Sequence, residues 1–275
     1  MINAHHGSGL IDKMNMLNGF EIRDFKNEND FNQCIELQKK IFSLSETDVL
    51  SPLYLKLIAR NNPPVGISLG FFKENQLIGF MVGTATLLEK SLYVVFAGLD
   101  AAFHSKGIGR GIFLEFRKRA LNNGIEQLYG IFEPLDTKLA YLYFSKLGFW
   151  GINYEKDVYA LSNLVQEVPN DKVLFRWSLN SRNTISKINN KRERNINEHL
   201  KNIPIVSQNN LSDNSHILIK IPVEFDLSKK ENYLVRIETR NLFCEYINSR
   251  KYFITDCISE IKNNKRQIYY LLEKQ

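Results

Sequence analysis

The chain alternates between two hydrophobic periods along most of its length. Phe20–Phe25 alternates with period two and predicts a first strand. Asp30, followed by Phe31, Cys34, Ile35, Leu37, Gln38 and Ile41, predicts a capped amphipathic helix. Ser51-Pro52 opens a second helix carrying Leu53, Leu55, Leu57 and Ile58. Val65–Lys73 and Gln76–Leu88 predict strands joined at Glu74-Asn75, a hairpin-type turn. The apolar run Ser91–Leu99 predicts the next strand, and Gly109–Asn123 the next helix, with Ile112, Phe113, Phe116 and Ala120 on one face. Asn122-Asn123-Gly124 signals its C-terminus. A strand over Ile125–Phe132, a helix over Thr137–Leu147 capped by Asp136 and stopped at Gly148, and a strand over Ile152–Leu161 complete this half.

The second half is less regular. Residues 163–215 are polar and rich in Asn, Ser, Lys and Arg, interrupted by a strand-like run at Val173–Leu179. After them come a strand at Ile217–Ile221, a helix over Ser228–Asn248, and strands at Tyr252–Ile258 and Gln267–Leu272. This order is close to that of the second half of the preceding region. Two readings stay open: a degenerate half-copy, or an unrelated small α+β cap. The expected organisation is a tag-like N-terminus at 1–17, a core at 18–162, a basic connector at 163–215 and a C-terminal extension at 216–275.

Composition sets limits on this picture. With 275 residues, 44% hydrophobic, the chain can bury one large core or two modest ones. No apolar run approaches the length of a membrane span, and the start lacks the basic-then-apolar order of a secretion signal. His5-His6-Gly7-Ser8-Gly9 reads as a tag or cloning scar, with Met14 or Met16 as the natural start. Three cysteines, Cys34, Cys244 and Cys257, without close-spaced pairs argue against a disulfide frame or a zinc site, and a reducing cytoplasm fits best. The net charge of +6 suits an acidic or anionic partner. Its densest patch, Lys187, Lys191, Arg192, Arg194 and Lys201, lacks the interleaved aromatics of a nucleic-acid surface. It reads as a solvated linker, with a docking patch for an acidic partner as the alternative.

The chemistry concentrates at His104-Ser105-Lys106-Gly107-Ile108-Gly109-Arg110-Gly111. A strand entering a short glycine loop and then a helix offers backbone N–H groups and the positive end of a helix dipole to an anion. No Lys-Ser or Lys-Thr pair follows these glycines, so the loop is not a P-loop, and it lacks the third glycine of the dinucleotide fingerprint.

K-G-I-G-R-G, then a helix, a strand and a helix closing as A-Y-L-Y-F-S-K-L-G-F (Ala140–Phe149), resembles the GNAT superfamily of N-acetyltransferases. The resemblance covers Phe20–Leu161. F-E-P-L (Phe132–Leu135), V-P-N-D-K-V-L-F-R-W-S-L (Val168–Leu179), I-P-V-E-F (Ile221–Phe225) and I-Y-Y-L-L (Ile268–Leu272) are similar to a poorly understood branch with a C-terminal extension. The likeness implies an α/β (α+β) GNAT fold, a mixed central sheet flanked by helices. It implies acetyl-CoA or a longer acyl-CoA as co-substrate, an amine acceptor (small molecule, peptide or natural product), no metal, and membership of a superfamily whose proteins often form homodimers. Direct attack in a ternary complex is the implied reaction. A non-catalytic module binding CoA or a carrier-bound acyl group is the alternative.

In such a fold the pyrophosphate would lie on His104, Ser105, Lys106, Gly107, Ile108, Gly109 and Arg110. The backbone of Ala97, Leu99 and Ala101 would hold the acyl arm and the oxyanion. His104 stands where the family has Gln or Arg, and its backbone N–H and ring remain as donors. The family tyrosine that protonates the thiolate falls on Phe144, which leaves its neighbour Tyr143, or Tyr141, as candidate acid. Glu133 and Asp100 are the candidate bases, each needing a raised pKa. Glu46 and Asp48 would face a cationic acceptor.

Overall fold

A computed structural model describes residues 19–158, 169–189, 202–225 and 232–275. The tag-like N-terminus, most of the basic patch and the first residues of the helix expected from Ser228 lie outside the described residues. The chain divides into two compact units at Tyr129/Gly130, inside strand β5.

The first unit orders its strands β1 (Phe20–Asp24), β2 (Gly66–Lys73), β3 (Gln76–Ala85), β4 (Ser91–Leu99) and the start of β5 (Gln127–Phe132). β1 to β4 are antiparallel neighbours. The β2–β3 hairpin turns at Glu74 and Asn75, both at positive φ as a tight two-residue turn requires. Helices α1 (Glu28–Phe42) and α2 (Pro52–Ile58) bury Phe31, Cys34, Leu37, Leu55 and Ile58 in one cluster with Phe72, Leu77 and Phe80. Asn27, not Asp30, caps α1, its side chain accepting from the Asp30 N–H. Asp30 is buried and held by Arg23 at 2.5 Å. Ser51 caps α2 as expected.

β4 pairs with β5 in parallel over only three residues, Ser91–Gln127, Leu92–Leu128 and Tyr93–Tyr129, although β4 runs on to Leu99. Against β3 the register shifts between Val82 and Gly83, which face Phe96 and Val94, so Val95 is an extra residue in β4. A bulge here re-aims the second half of the strand. A 3₁₀ turn (Ala101–Phe103) and the glycine loop lead into α3 (Ile108–Asn122), which buries Ile108, Ile112, Phe113, Phe116 and Ala120.

The second unit orders its strands from β5 through β7 (Lys172–Ser178), β6 (Trp150–Glu155), β10 (Tyr252–Lys262), β11 (Lys265–Lys274) and β9 (His216–Ile221) to β8 (Ile205–Val206). β8 and β9 are parallel. Helix α4 starts as α-helix at Thr137–Ala140 and continues with π geometry over Tyr141–Leu147. Its cap is Asp136, as expected. α5 (Arg182–Ile188) forms within the stretch read as connector, because Ser181 caps it and Lys187 reaches the Phe144 carbonyl at 2.8 Å. α6 covers Asn232–Phe243 and continues as a π segment over Cys244–Ser249. Trp177 is fully buried and donates from Nε1 to the Leu147 carbonyl at 2.8 Å.

Candidate functional site

The first unit builds the anion-facing part. Gly107 caps α3 at φ 78, and a Cβ there would meet nothing within 4 Å. Only glycine takes this left-handed position without strain, so the chain passes from Ser105 (φ 62) into the helix in two residues. Gly111 makes the first helical hydrogen bond, to the Gly107 carbonyl at 3.1 Å. Helix geometry therefore leaves the Ile108 and Gly109 amides with no carbonyl of their own helix to reach. His104, Ser105, Lys106 and Gly107 are exposed.

Three side chains of this motif are engaged or buried rather than free for an anion. The His104 N–H donates to the Ala101 carbonyl at 3.1 Å and its ring Nε2 lies 2.9 Å from the Leu99 carbonyl, so both donors assigned to an anion are used inside the turn. Lys106 donates to the Ala102 carbonyl at 3.0 Å and sits over the Phe103 ring. Arg110 is half-buried on α3, and burial lowers its pKa. The loop thus presents backbone more than charge.

Asp100 does not have the raised pKa expected of a base. It caps the 3₁₀ turn through the Ala102 N–H and pairs with Lys40 of α1 at 2.5 Å. The Lys40 hydrogen bond holds its carboxyl below the usual range, against a smaller effect of burial. Lys40, which sequence reasoning missed, carries no local signal, as its partner is sixty residues away. Glu46 pairs with Lys39, and Asp48 accepts from the Ser45 hydroxyl at 2.6 Å.

The second unit holds the other two candidates. Glu133 follows β5 and accepts from the Leu135 N–H at 3.0 Å. Its carboxylate also meets Lys172 at 3.3 Å and Arg236 at 2.7 Å. Arg236 is fully buried; its contact with Glu133 is an ion pair without hydrogen-bond alignment, and its Nε and Nη1 have no hydrogen-bond partner among the described residues. Burial lowers the Lys172 pKa against the pull of Glu133. Tyr143 is a core residue, stacked on Phe149 at 4.7 Å and touching Phe132 and Phe175. Burial pushes its phenol well above the ordinary value, so it keeps its proton and is a weaker acid than expected. Phe144 beside it is fully buried.

Four antiparallel strands, a parallel start to β5 and a glycine loop opening α3 form a mixed sheet flanked by helices, as the resemblance implied, and the extra residue in β4 adds to it. The arrangement resembles that of the GNAT acetyltransferases. No family model and no curated protein matches the chain. Solved structures similar to it include the ribosomal-protein-S18-alanine N-acetyltransferase from Escherichia coli, at 12% identity over 59% of this chain and 95% of that one, with a TM-score of 0.47. A probable acetyltransferase from Staphylococcus epidermidis shares 19% identity over 58% and 98%, with a TM-score of 0.47. An acetyltransferase of the GNAT family from Streptococcus pneumoniae shares 16% over 58% and 98%, at 0.47. Each match leaves about two fifths of this chain uncovered.

Proposed function

We propose that the chain is an acyl-CoA-dependent N-acyltransferase that moves an acetyl or longer acyl group from a CoA thioester to an amine. The observation that carries this reading is the left-handed, open Gly107 between the bulged β4 and α3. The Ile108 and Gly109 amides receive the pyrophosphate in this reading, and the backbone of Ala97, Leu99 and Ala101 takes the acyl arm and stabilises the oxyanion.

The attacking amine must be neutral and must lose a proton, and the thiolate must gain one. Lys40 holds Asp100 as its carboxylate, Arg236 and Lys172 occupy Glu133, and burial keeps Tyr143 protonated. The reading therefore assigns rate enhancement to placement and backbone donors, with water carrying the protons. The same pairing favours a second reading, a non-catalytic module of this fold that binds CoA or a carrier-bound acyl group.

CoA release from a panel of acyl-CoAs and amines, alongside direct CoA binding, separates the two. Turnover with any pair supports the enzyme; binding without turnover across the panel supports the module. A Gly107→Trp variant is expected to lose CoA binding while keeping its fold, and undiminished binding would remove the pyrophosphate from this loop.

A further inference from the structure

The second unit repeats itself. α4 changes from α to π geometry at Tyr141 and α6 does so at Cys244, a step of 103 residues. The same step carries Gly148, the left-handed residue after α4, onto Lys251, left-handed after α6. It carries the bulge of β6 against β7, between Gly151 and Asn153, onto the bulge of β10 against β11, between Ile254 and Asp256. It also carries Gly151 onto Ile254, the pair through which β6 and β10 meet antiparallel. A residue paired antiparallel with its own equivalent places a two-fold axis between the strands, the geometry of an isologous interface. The strand order β5, β7, β6, β10, β11, β9 also reads the same from either end when β7 is matched with β11 and β5 with β9, although the 103-residue step does not extend to those strands.

Side chains repeat the relation. Ser145 and Asn248 are equivalent, and each clasps the backbone of the opposite half. Asn248 accepts from the Tyr154 N–H at 3.0 Å and donates to the Tyr154 carbonyl at 2.8 Å. The Ser145 hydroxyl accepts from the Cys257 N–H at 3.3 Å and faces the Cys257 carbonyl. Tyr154 and Cys257 are themselves one step apart. The stacked pair Tyr143–Phe149 becomes Tyr246–Tyr252, edge-on at 5.3 Å.

The copies differ in the connection between β6 and β7, which is long where β10 and β11 share a two-residue turn, and at the parallel strand. β8 runs parallel to β9 through Ile205–Leu218 and Val206–Ile219, as β4 starts parallel to β5. β4 then feeds a glycine loop and a helix, whereas β8 turns at Ser207–Asn210 and returns directly to β9. That return is sewn down. The Tyr246 hydroxyl accepts from the Ser212 N–H at 2.8 Å and donates to its carbonyl at 3.1 Å. Tyr252 donates to the Asn214 carbonyl at 2.7 Å, and Arg250 pairs with Asp213 at 2.8 Å.

We propose that residues 205–274 are a degenerate second copy of the half-domain at 91–178. The copy sits on β6 in the place a second chain would take, and its self-closing loop replaces the cofactor loop, so the chain carries one cofactor site and needs no partner at this seam. The cofactor clause rests on the acyl-CoA reading; the duplication does not.

The full chain tests the self-closed seam and the single cofactor site. A Cβ at Gly151 would lie 3.0 Å from that of Ile254, just short of the disulfide spacing of about 3.5–4.5 Å. With a small widening of the pair, Gly151→Cys with Ile254→Cys should oxidise to a bridge within one chain, mapped by peptide mass and seen as a monomer on a non-reducing gel. A covalent dimer through the same two positions would overturn the proposal. Should that variant fail to fold, hydrogen exchange of the unmodified protein decides. The Tyr154 and Cys257 amides should open as one unit, with protection within about tenfold, and separate openings would overturn it. Titration with CoA should give one site per chain, lost in Gly107→Trp. A second site would overturn the loss in the copy. No CoA binding at all would overturn the cofactor clause together with the acyl-CoA reading, while the bridge still judges whether one chain closes the β6–β10 seam on itself.

Discussion

The Glu133 carboxylate lies 2.7 Å from the guanidinium of Arg236, a side chain with no exposed surface. A buried cation with a single carboxylate partner depends on that partner, because water cannot replace it. Glu133→Ala should therefore cost about 3–5 kcal/mol in urea unfolding, while Arg236→Met, which leaves Glu133 with Lys172, should cost clearly less. Equal losses, or no loss in Glu133→Ala, would show that the pair is not a structural one.

Asp171 makes the opposite kind of pair. It is fully buried, accepts from the Tyr154 hydroxyl at 2.6 Å and from Arg240 Nε at 2.8 Å. Burial raises its pKa, but the hydrogen bonds from Arg240 and Tyr154 outweigh it and the net shift is downward. The folded chain thus binds fewer protons here than the unfolded one. The contribution is present above the unfolded value of about 3.9 and is lost as pH falls toward and through the folded value. Chemical denaturation between pH 7 and 3 should show stability falling with acid, and Asp171→Asn should flatten that fall while lowering the plateau.

Tyr143 is packed between Phe149, Phe132 and Phe175. Tyr143→Phe keeps that packing, so kcat in any acyl transfer should stay within about threefold, and Tyr143→Ala should cost roughly 3–5 kcal/mol. A hundredfold loss of kcat in Tyr143→Phe at unchanged stability would restore it as the acid.

The crossed clasps should act alike. Asn248→Ala takes away both side-chain bonds to Tyr154, and Ser145→Ala takes away the hydroxyl that bridges Cys257 and Asp256, at roughly 1–3 kcal/mol apiece. Thermal or urea unfolding of the two variants should show losses of similar size; a negligible effect in both would argue that the clasps do not hold the halves.

Much of this protein was written in short-range pattern. The hydrophobic periods located β2 to β5 and α1 to α4 within a few residues, since hydrogen-bond period and one-sided burial are local properties. Ser51, Asp136 and the Glu74-Asn75 turn were legible for the same reason: a cap or a tight turn is decided within four residues. So was the glycine loop, whose backbone needs Gly107 whatever surrounds it.

What tertiary structure alone decided is which charges meet and which backbone features of the C-terminal region match the preceding half. Lys40 finds Asp100, and Arg236 and Lys172 find Glu133, because the topology brings distant segments together, and those meetings turned candidate bases into ion pairs. The repeat was faint in the sequence for a related reason. Matching bulges, a π segment and an antiparallel seam constrain backbone register and burial, which many side chains satisfy: Ser145 and Asn248 do the same work with different chemistry. Sequence order already suggested a half-copy; the matched bulges, π segments and seam of the fold are what support the proposed repeat.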